Sequence, residues 1–363
     1  MKIGILTFHR AWNYGAVLQC YALQELLKES GNKVAVINYK QPWTESICKI
    51  FDYKKLKNAF FHPRFFCNYL FQAGDRSCQK KIYNDFVTRH LNTTQECDAN
   101  SIPSDFDLYI IGSDQLWGLN CLGGKLDRVY MGDFTHRSDA RVVGYAISSN
   151  KDSLDTIGAD NLIKYASNFN ALSFREKSLG DYFEKLTSIK VHIDLDPTLL
   201  SGSQMWDSIV DEKYSKQKYL VVYQVRRNNE LLQKAKRIAK ENGWKVVDMS
   251  SMRYSVESFV SLIKYSQCVI TSSFHATVFS LIFRKRFYAV KLNDGLDARY
   301  VDLLNSIEAG GAIVDISFKP SVPPLLDYDN IFQSLERIRR PSIDYLKDWT
   351  EKIVTDSIYY AQS

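Results

Sequence analysis

The residues of this sequence best suited to chemistry sit in four short polar clusters, each directly behind an apolar run. The fullest is "CVITSSFHATVFSLIF", where Thr271, Ser272 and Ser273 end a β-branched stretch and His275 opens an apolar helical one. Hydroxyls, first-turn amides and the positive end of a helix dipole together favour an anion, and an imidazole there could donate a proton to it. The competing reading is a buried histidine satisfied by a carbonyl. In "ALSFREKSL", Arg175 follows a strand and offers the planar fork of donors that matches a carboxylate or a phosphate; a surface ion pair with Glu176 is the alternative. In "DLYIIGSDQLW", Ser113, Asp114, Gln115 and Trp117 supply a carboxylate, an amide and an indole, the groups that meet the hydroxyls and C–H faces of a sugar. Asp114 would take a proton from an acceptor hydroxyl, although a capping Asp and a core Trp explain the same residues. The opening "NYGAVLQCYALQ" places Asn13, Tyr14 and Gly15 between a strand and a helix, where Gly15 permits a tight turn and helix amides can face a ligand. An ordinary capped helix is the alternative there. Lys291, Asp294 and Arg299 follow the next strand and add charge within reach of the Ser272–His275 turn; an exposed lysine is equally ordinary.

Strand ends must hold these clusters, and the apolar pattern supplies them. Strands are expected over 2–8, 33–39, 107–112, 141–147 and 170–174, with helices near 16–30, 155–168 and 175–187. After "DLDPTLL", where Pro197 breaks the pattern, a second series opens at "KYLVVYQV" and runs through helices at 229–242, 256–265 and 275–284, with "WKVVDM", "QCVITSS" and "RFYAVKL" as strands. Strands alternating with helices predict parallel α/β sheets, here two Rossmann-like domains over 1–200 and 201–326 facing a central cleft. Residues 327–363 are expected to be helical, interrupted at Pro341, and to pack back on the first domain. Ligands of open parallel sheets lie beyond the carboxyl ends of the strands, so the cleft is the expected site.

At 363 residues the chain exceeds one ordinary core and suits two domains of roughly 150 to 200 residues. A net charge of +6, spread along the chain except around 49–81, does not single out nucleic acid as a partner and suits a small anion equally well. Seven cysteines without a CxxC pair, and six scattered histidines, point to free thiols rather than a disulfide framework or a zinc site. A strand beginning at residue 2 leaves no charged leader, and no run approaches the roughly 20 apolar residues of a membrane span, so a cytoplasmic protein is expected.

In order along the chain, "GILTFHRAWNYGAVLQCYALQ", "IIGSDQLW", "SFREKS", "DPTLL" and "ITSSFHATVFSLIF" resemble the polysaccharide pyruvyl transferase family, which attaches pyruvate as a ketal to bacterial and yeast glycans. The resemblance covers residues 3–283. It implies a GT-B-like pair of Rossmann domains, phosphoenolpyruvate as donor, and as acceptor a sugar with two suitably placed hydroxyls, of galactose type, in a bacterial capsule or exopolysaccharide precursor. His275 matches the family's histidine and Arg175 an arginine of its "RE" motif. The expected donor set is then Arg175, Ser272, Ser273, His275, Lys291 and Arg299; the acceptor set is Asn13, Tyr14, Gly15, Ser113, Asp114, Gln115 and Trp117. His275 is expected as the proton donor or as a stabiliser of departing phosphate, Asp114 as the acceptor's base, and Arg175 as the anchor. Neither a metal nor a cofactor is demanded, since phosphoenolpyruvate is a co-substrate.

Ser273 stands where many members carry an arginine, which leaves Lys291 or Arg299 as the substitute cation, and Ala276 stands where glycine is frequent. A nucleotide-sugar glycosyltransferase and a non-catalytic glycan-assembly protein share the expected architecture. The basic, aromatic segment 49–81 suits either a helix on an anionic membrane surface, near a lipid-linked acceptor, or helices packing an aromatic face on the first domain.

Overall fold

A computed structural model describes residues 1–50, 63–251, 253–293 and 297–360. The chain forms two compact units. The first holds the residues up to Arg175, then 179–192, and the chain from Trp349 onward; the second holds 176–178 and 193–348.

The first unit is built on strands β1 (Lys2–Leu6), β2 (Lys33–Val36), β3 (Leu108–Asp114), β4 (Arg141–Ile147), β5 (Ala171–Phe174) and β6 (His192–Ile193), in the order β2-β1-β3-β4-β5-β6. Its registered pairs are parallel. The central strands are buried along nearly their whole length, as expected when helices cover both faces. The second unit carries β7 (Tyr219–Tyr223), β8 (Lys245–Asp248), β9 (Cys268–Thr271), β10 (Arg286–Lys291) and β11 (Ile313–Asp315), ordered β11-β10-β9-β7-β8 and likewise parallel. The protein is therefore α/β with two parallel sheets.

Helix starts follow local chemistry. Asn13, Asn150, Asn228, Ser255 and Ser273 each accept a first-turn amide at the head of a helix, the preferred N-cap types. The helical pattern expected over 155–168 is instead two helices, Lys151–Ile157 and Ala159–Ala166, broken at Gly158, whose φ of +81° ends the first of them. The C-terminal helix Tyr328–Tyr360 runs through Pro341 without the expected interruption. Its buried stripe continues on both sides of the proline, through Ile331, Leu335, Ser342, Tyr345 and Leu346, and that packing carries the helix past one missing amide. The expected boundary near 200 falls instead at 192/193. Residues 194–199 are tied into the second unit, where Leu195 N donates to Ser342 Oγ (2.9 Å) and Arg339 Nε to Leu199 O (2.9 Å).

The helix Pro63–His90 covers much of the basic aromatic segment; 51–62 lie outside the described residues. Its later turns bury Tyr83 and Phe86 against the helix Tyr14–Glu29, with Phe86 6.0 Å from Tyr21 and Tyr83 5.6 Å from Tyr14 between ring centroids. Those two rings, which follow the segment, belong to the core of the first unit. Among the described residues no helix is long and apolar enough to cross a membrane.

Strand β3 closes on β4 through Gly112. Its φ is +138°, and a Cβ built there would lie 1.9 Å from the Tyr145 carbonyl oxygen. Gly112→Ala should therefore destabilise the protein by at least about 2 kcal/mol in chemical denaturation; wild-type stability would contradict this packing.

Candidate functional site

In each sheet the strand order reverses once. The crossovers leave in opposite directions between β1 and β3 in the first unit and between β7 and β9 in the second. At such a reversal the carboxyl ends of the two strands are not covered by a connection, which is where open α/β sheets take ligands.

In the first unit a buried polar ring lies under this point. Gln19 Nε2 donates to Thr7 Oγ1 (2.8 Å), Thr7 Oγ1 to Ser113 O (2.9 Å), and Ser113 N to Gln19 Oε1 (3.1 Å). Ser113 Oγ donates to Ala146 O at 2.8 Å. Ser113 is thus a fully buried brace between strands rather than a ligand group. His9, also buried, lies 3.2 Å from Thr7 O through Nδ1 and 3.1 Å from Asn38 Oδ1 through Nε2, and burial pushes its pKa down.

Register brings Asp114 and Arg175 together. Asp114 aligns with Ile147 of β4, and Ile147 with Phe174 of β5, so Arg175 begins just past the same edge. Arg175 Nη2 lies 4.0 Å from Asp114 Oδ1, with the guanidinium side chain 3% exposed and the carboxylate 14%. Asp114 holds an unusual φ of +87°, and its Oδ1 accepts Gln115 N (2.9 Å). A non-glycine residue kept in that region costs about 1–3 kcal/mol, and such residues cluster at functional sites. Gln115 is buried, and its Oε1 accepts from Cys121 Sγ at 3.3 Å.

The other acceptor residues serve the fold. Asn13 Oδ1 accepts Gly15 N (2.9 Å) and Ala16 N (3.3 Å), so those amides are spent on the cap. Gly15 does not adopt positive φ, so the turn does not need a glycine there. Tyr14 is fully buried. Trp117 has no exposed surface; its Nε1 donates to Tyr130 O (3.1 Å) and its ring packs edge-on against Phe174 at 5.6 Å. A sugar needs an open ring face, which this indole does not present.

In the second unit the fourth cluster forms the turn after β9. Thr271 Oγ1 donates to Tyr223 O (2.6 Å) and accepts Ser273 N (3.0 Å), which pins the turn to β7 across the reversal. Ser273 caps the helix Phe274–Ile282, and His275 is its second residue. Ser272, Ser273 and His275 are 8%, 5% and 8% exposed, so a bound anion would meet hydroxyls and first-turn amides with little competing water. Among the described residues no carbonyl satisfies the histidine's Nε2, which lies 3.5 Å from Asp196 Oδ2. Lys291 Nζ pairs with Asp315 Oδ1 (3.1 Å) on β11, the strand on the other side of β10 from β9. Arg299 is partly buried in the first turn of the helix Ala298–Ser306. Asp294 lies outside the described residues.

A family model described as polysaccharide pyruvyl transferase matches residues 13–294. The chain belongs to the polysaccharide pyruvyl transferase family. Membership implies a transferase with a polysaccharide acceptor. No curated protein matches the chain. Among solved structures it is similar to the UDP-N-acetylglucosamine 2-epimerase of Rickettsia bellii (10% identity, TM-score 0.47, covering 100% of this chain and 97% of that one). It is also similar to the UDP-GlcNAc 2-epimerase of Methanocaldococcus jannaschii (10%, 0.42, 93% of each chain) and to UGT89C1 of Arabidopsis thaliana (11%, 0.43, 95% and 98%).

The residue that sequence reasoning passed over in this pyruvyl transferase family member is Asp196. It stands in "DPTLL", where Pro197 reads as a break, and only the recurrence of the motif in the family hinted at more. Trp117 gives the sharpest check on the reassigned residues. Trp117→Ala should lower stability by about 3–5 kcal/mol in denaturant titration; a variant of normal stability whose only defect is weak acceptor binding would restore the sugar-platform reading.

Proposed function

We propose that the protein is a cytoplasmic pyruvyltransferase that uses phosphoenolpyruvate to form a cyclic ketal on a galactose-type sugar of a surface-glycan precursor, and releases phosphate. The observation that carries this reading is the turn Ser272–His275, where hydroxyls, helix-start amides and a recessed imidazole converge at the strand-order reversal of the second sheet. Family membership names pyruvyl as the group transferred.

The chemistry divides among a few groups. The Ser272 and Ser273 hydroxyls and the helix start take the phosphate of the donor. His275 delivers a proton to the donor's methylene carbon, which becomes a methyl group and leaves C2 electron-poor. A first acceptor hydroxyl adds to C2 and gives its proton to Asp114. Phosphate departs with the C2–O electron pair, and a second hydroxyl of the same sugar closes the ketal, its proton returning to His275. Arg175, buried and planar, is suited to the donor carboxylate. Low exposure of these groups strengthens each charge interaction.

Incubation with phosphoenolpyruvate and synthetic or lipid-linked galactosides, with phosphate release and product mass as readouts, should give a pyruvylated product. Phosphoenolpyruvate, and not a panel of nucleotide sugars, should raise the melting temperature. His275→Gln and Asp114→Asn should each lower turnover by about 10² to 10⁴ while leaving the melting temperature near that of wild type. Near-normal turnover in His275→Gln would remove the proton-donor role, and stabilisation by a nucleotide sugar alone would replace the donor.

A further inference from the structure

The carboxylate of Asp196 does more than cap a turn. Its side chain is entirely buried. Oδ1 accepts both the amide of Thr198 (3.1 Å) and the Thr198 hydroxyl (2.6 Å). Oδ2 faces His275 Nε2 at 3.5 Å. That ring nitrogen is itself buried and makes no hydrogen bond among the described residues. A distance of 3.5 Å is ion-pair range, and a shift of a few tenths of an ångström makes it a hydrogen bond; bonds of this kind commonly tighten when substrate binds.

The carboxylate is also held independently of the histidine. Pro197 opens the 3-10 turn Pro197–Leu199 that Asp196 caps, and the C-terminal helix grips the flanking backbone through Ser342 and Arg339. An acid group fixed by its own turn, with its second oxygen aimed at a buried imidazole nitrogen, selects the state of that imidazole.

We propose that Asp196 is the positioning residue for His275: it accepts a hydrogen bond from Nε2–H and so leaves Nδ1 as the nitrogen that exchanges the proton with the donor. The assignment rests on the proposed function for what His275 does, but the pairing itself does not.

Asp196→Asn separates the two. The two Thr198 donors hold the side-chain oxygen where Oδ1 now sits, so the amide nitrogen replaces Oδ2 and presents an N–H to Nε2. The ring is then driven into the Nδ1–H tautomer, the wrong one for the reaction. The readout is ¹⁵N NMR of histidine-labelled, substrate-free protein at alkaline pH, with His275→Gln to assign the signals. Wild type should show His275 as Nε2–H and Asp196→Asn as Nδ1–H. In parallel, kcat should fall by about 10²-fold or more, as an isosteric change of the orienting acid does in hydrolase triads, with KM for phosphoenolpyruvate changed by less than about threefold.

A wild-type spectrum showing Nδ1–H overturns the proposal whether or not the variant folds. So does an unchanged tautomer or an unchanged kcat in Asp196→Asn. If wild type transfers no pyruvyl group and the tautomer still switches, the function is wrong and the pairing stands; if wild type turns over and the tautomer does not switch, only the pairing fails.

Discussion

Crossover connections govern this protein. Parallel neighbours cannot be joined by a tight hairpin, so successive strands here are joined by long crossovers, most of them through helices that return over one face of the sheet. Where two successive crossovers leave in opposite directions, a pair of strand ends is left open. The sheet orders β2-β1-β3-β4-β5-β6 and β11-β10-β9-β7-β8 place one such opening in each unit. Most of the polar side chains at these strand ends are there because of it, either as candidates for chemistry or as braces beneath it.

The braces explain how irregular backbone is kept at these ends. Buried donors and acceptors must be paired, or each costs about 1–3 kcal/mol. The Gln19, Thr7 and Ser113 ring satisfies the backbone where β1 and β3 end, and Thr271 does the same between β7 and β9. With the backbone paired from below, Asp114 can be held at positive φ and Ser272, Ser273 and His275 can be gathered in one short turn. The C-terminal helix extends this support in the second unit by fixing the backbone on either side of Asp196.

The sequence made the sheet architecture legible because strands buried on both faces read as short apolar runs, and the Asn and Ser caps marked the helix starts. β4 and the helix Val256–Tyr265 were bounded correctly to the residue. Site residues were legible only in part. That Ser273 and His275 would stand at a helix start was legible because a cap and a strand end are local features. The burial of Trp117 was not, because residue type does not say which face of a junction is solvated; nor was the pairing of Lys291 with Asp315, which belongs to a short strand, β11, with little pattern of its own. Asp196 lies 79 residues from His275 in the chain, and no periodicity connects them. The helix through Pro341 shows the same limit from the other direction: the local rule predicts a break, and tertiary burial overrides it.

The most direct test of the account is a crystal structure with phosphoenolpyruvate bound. The phosphate should lie within hydrogen-bond reach of the Ser272 or Ser273 hydroxyl and the start of the helix Phe274–Ile282, with the imidazole of His275 facing the enol carbon. Donor density at any other place in the fold, with this turn unoccupied, would contradict it.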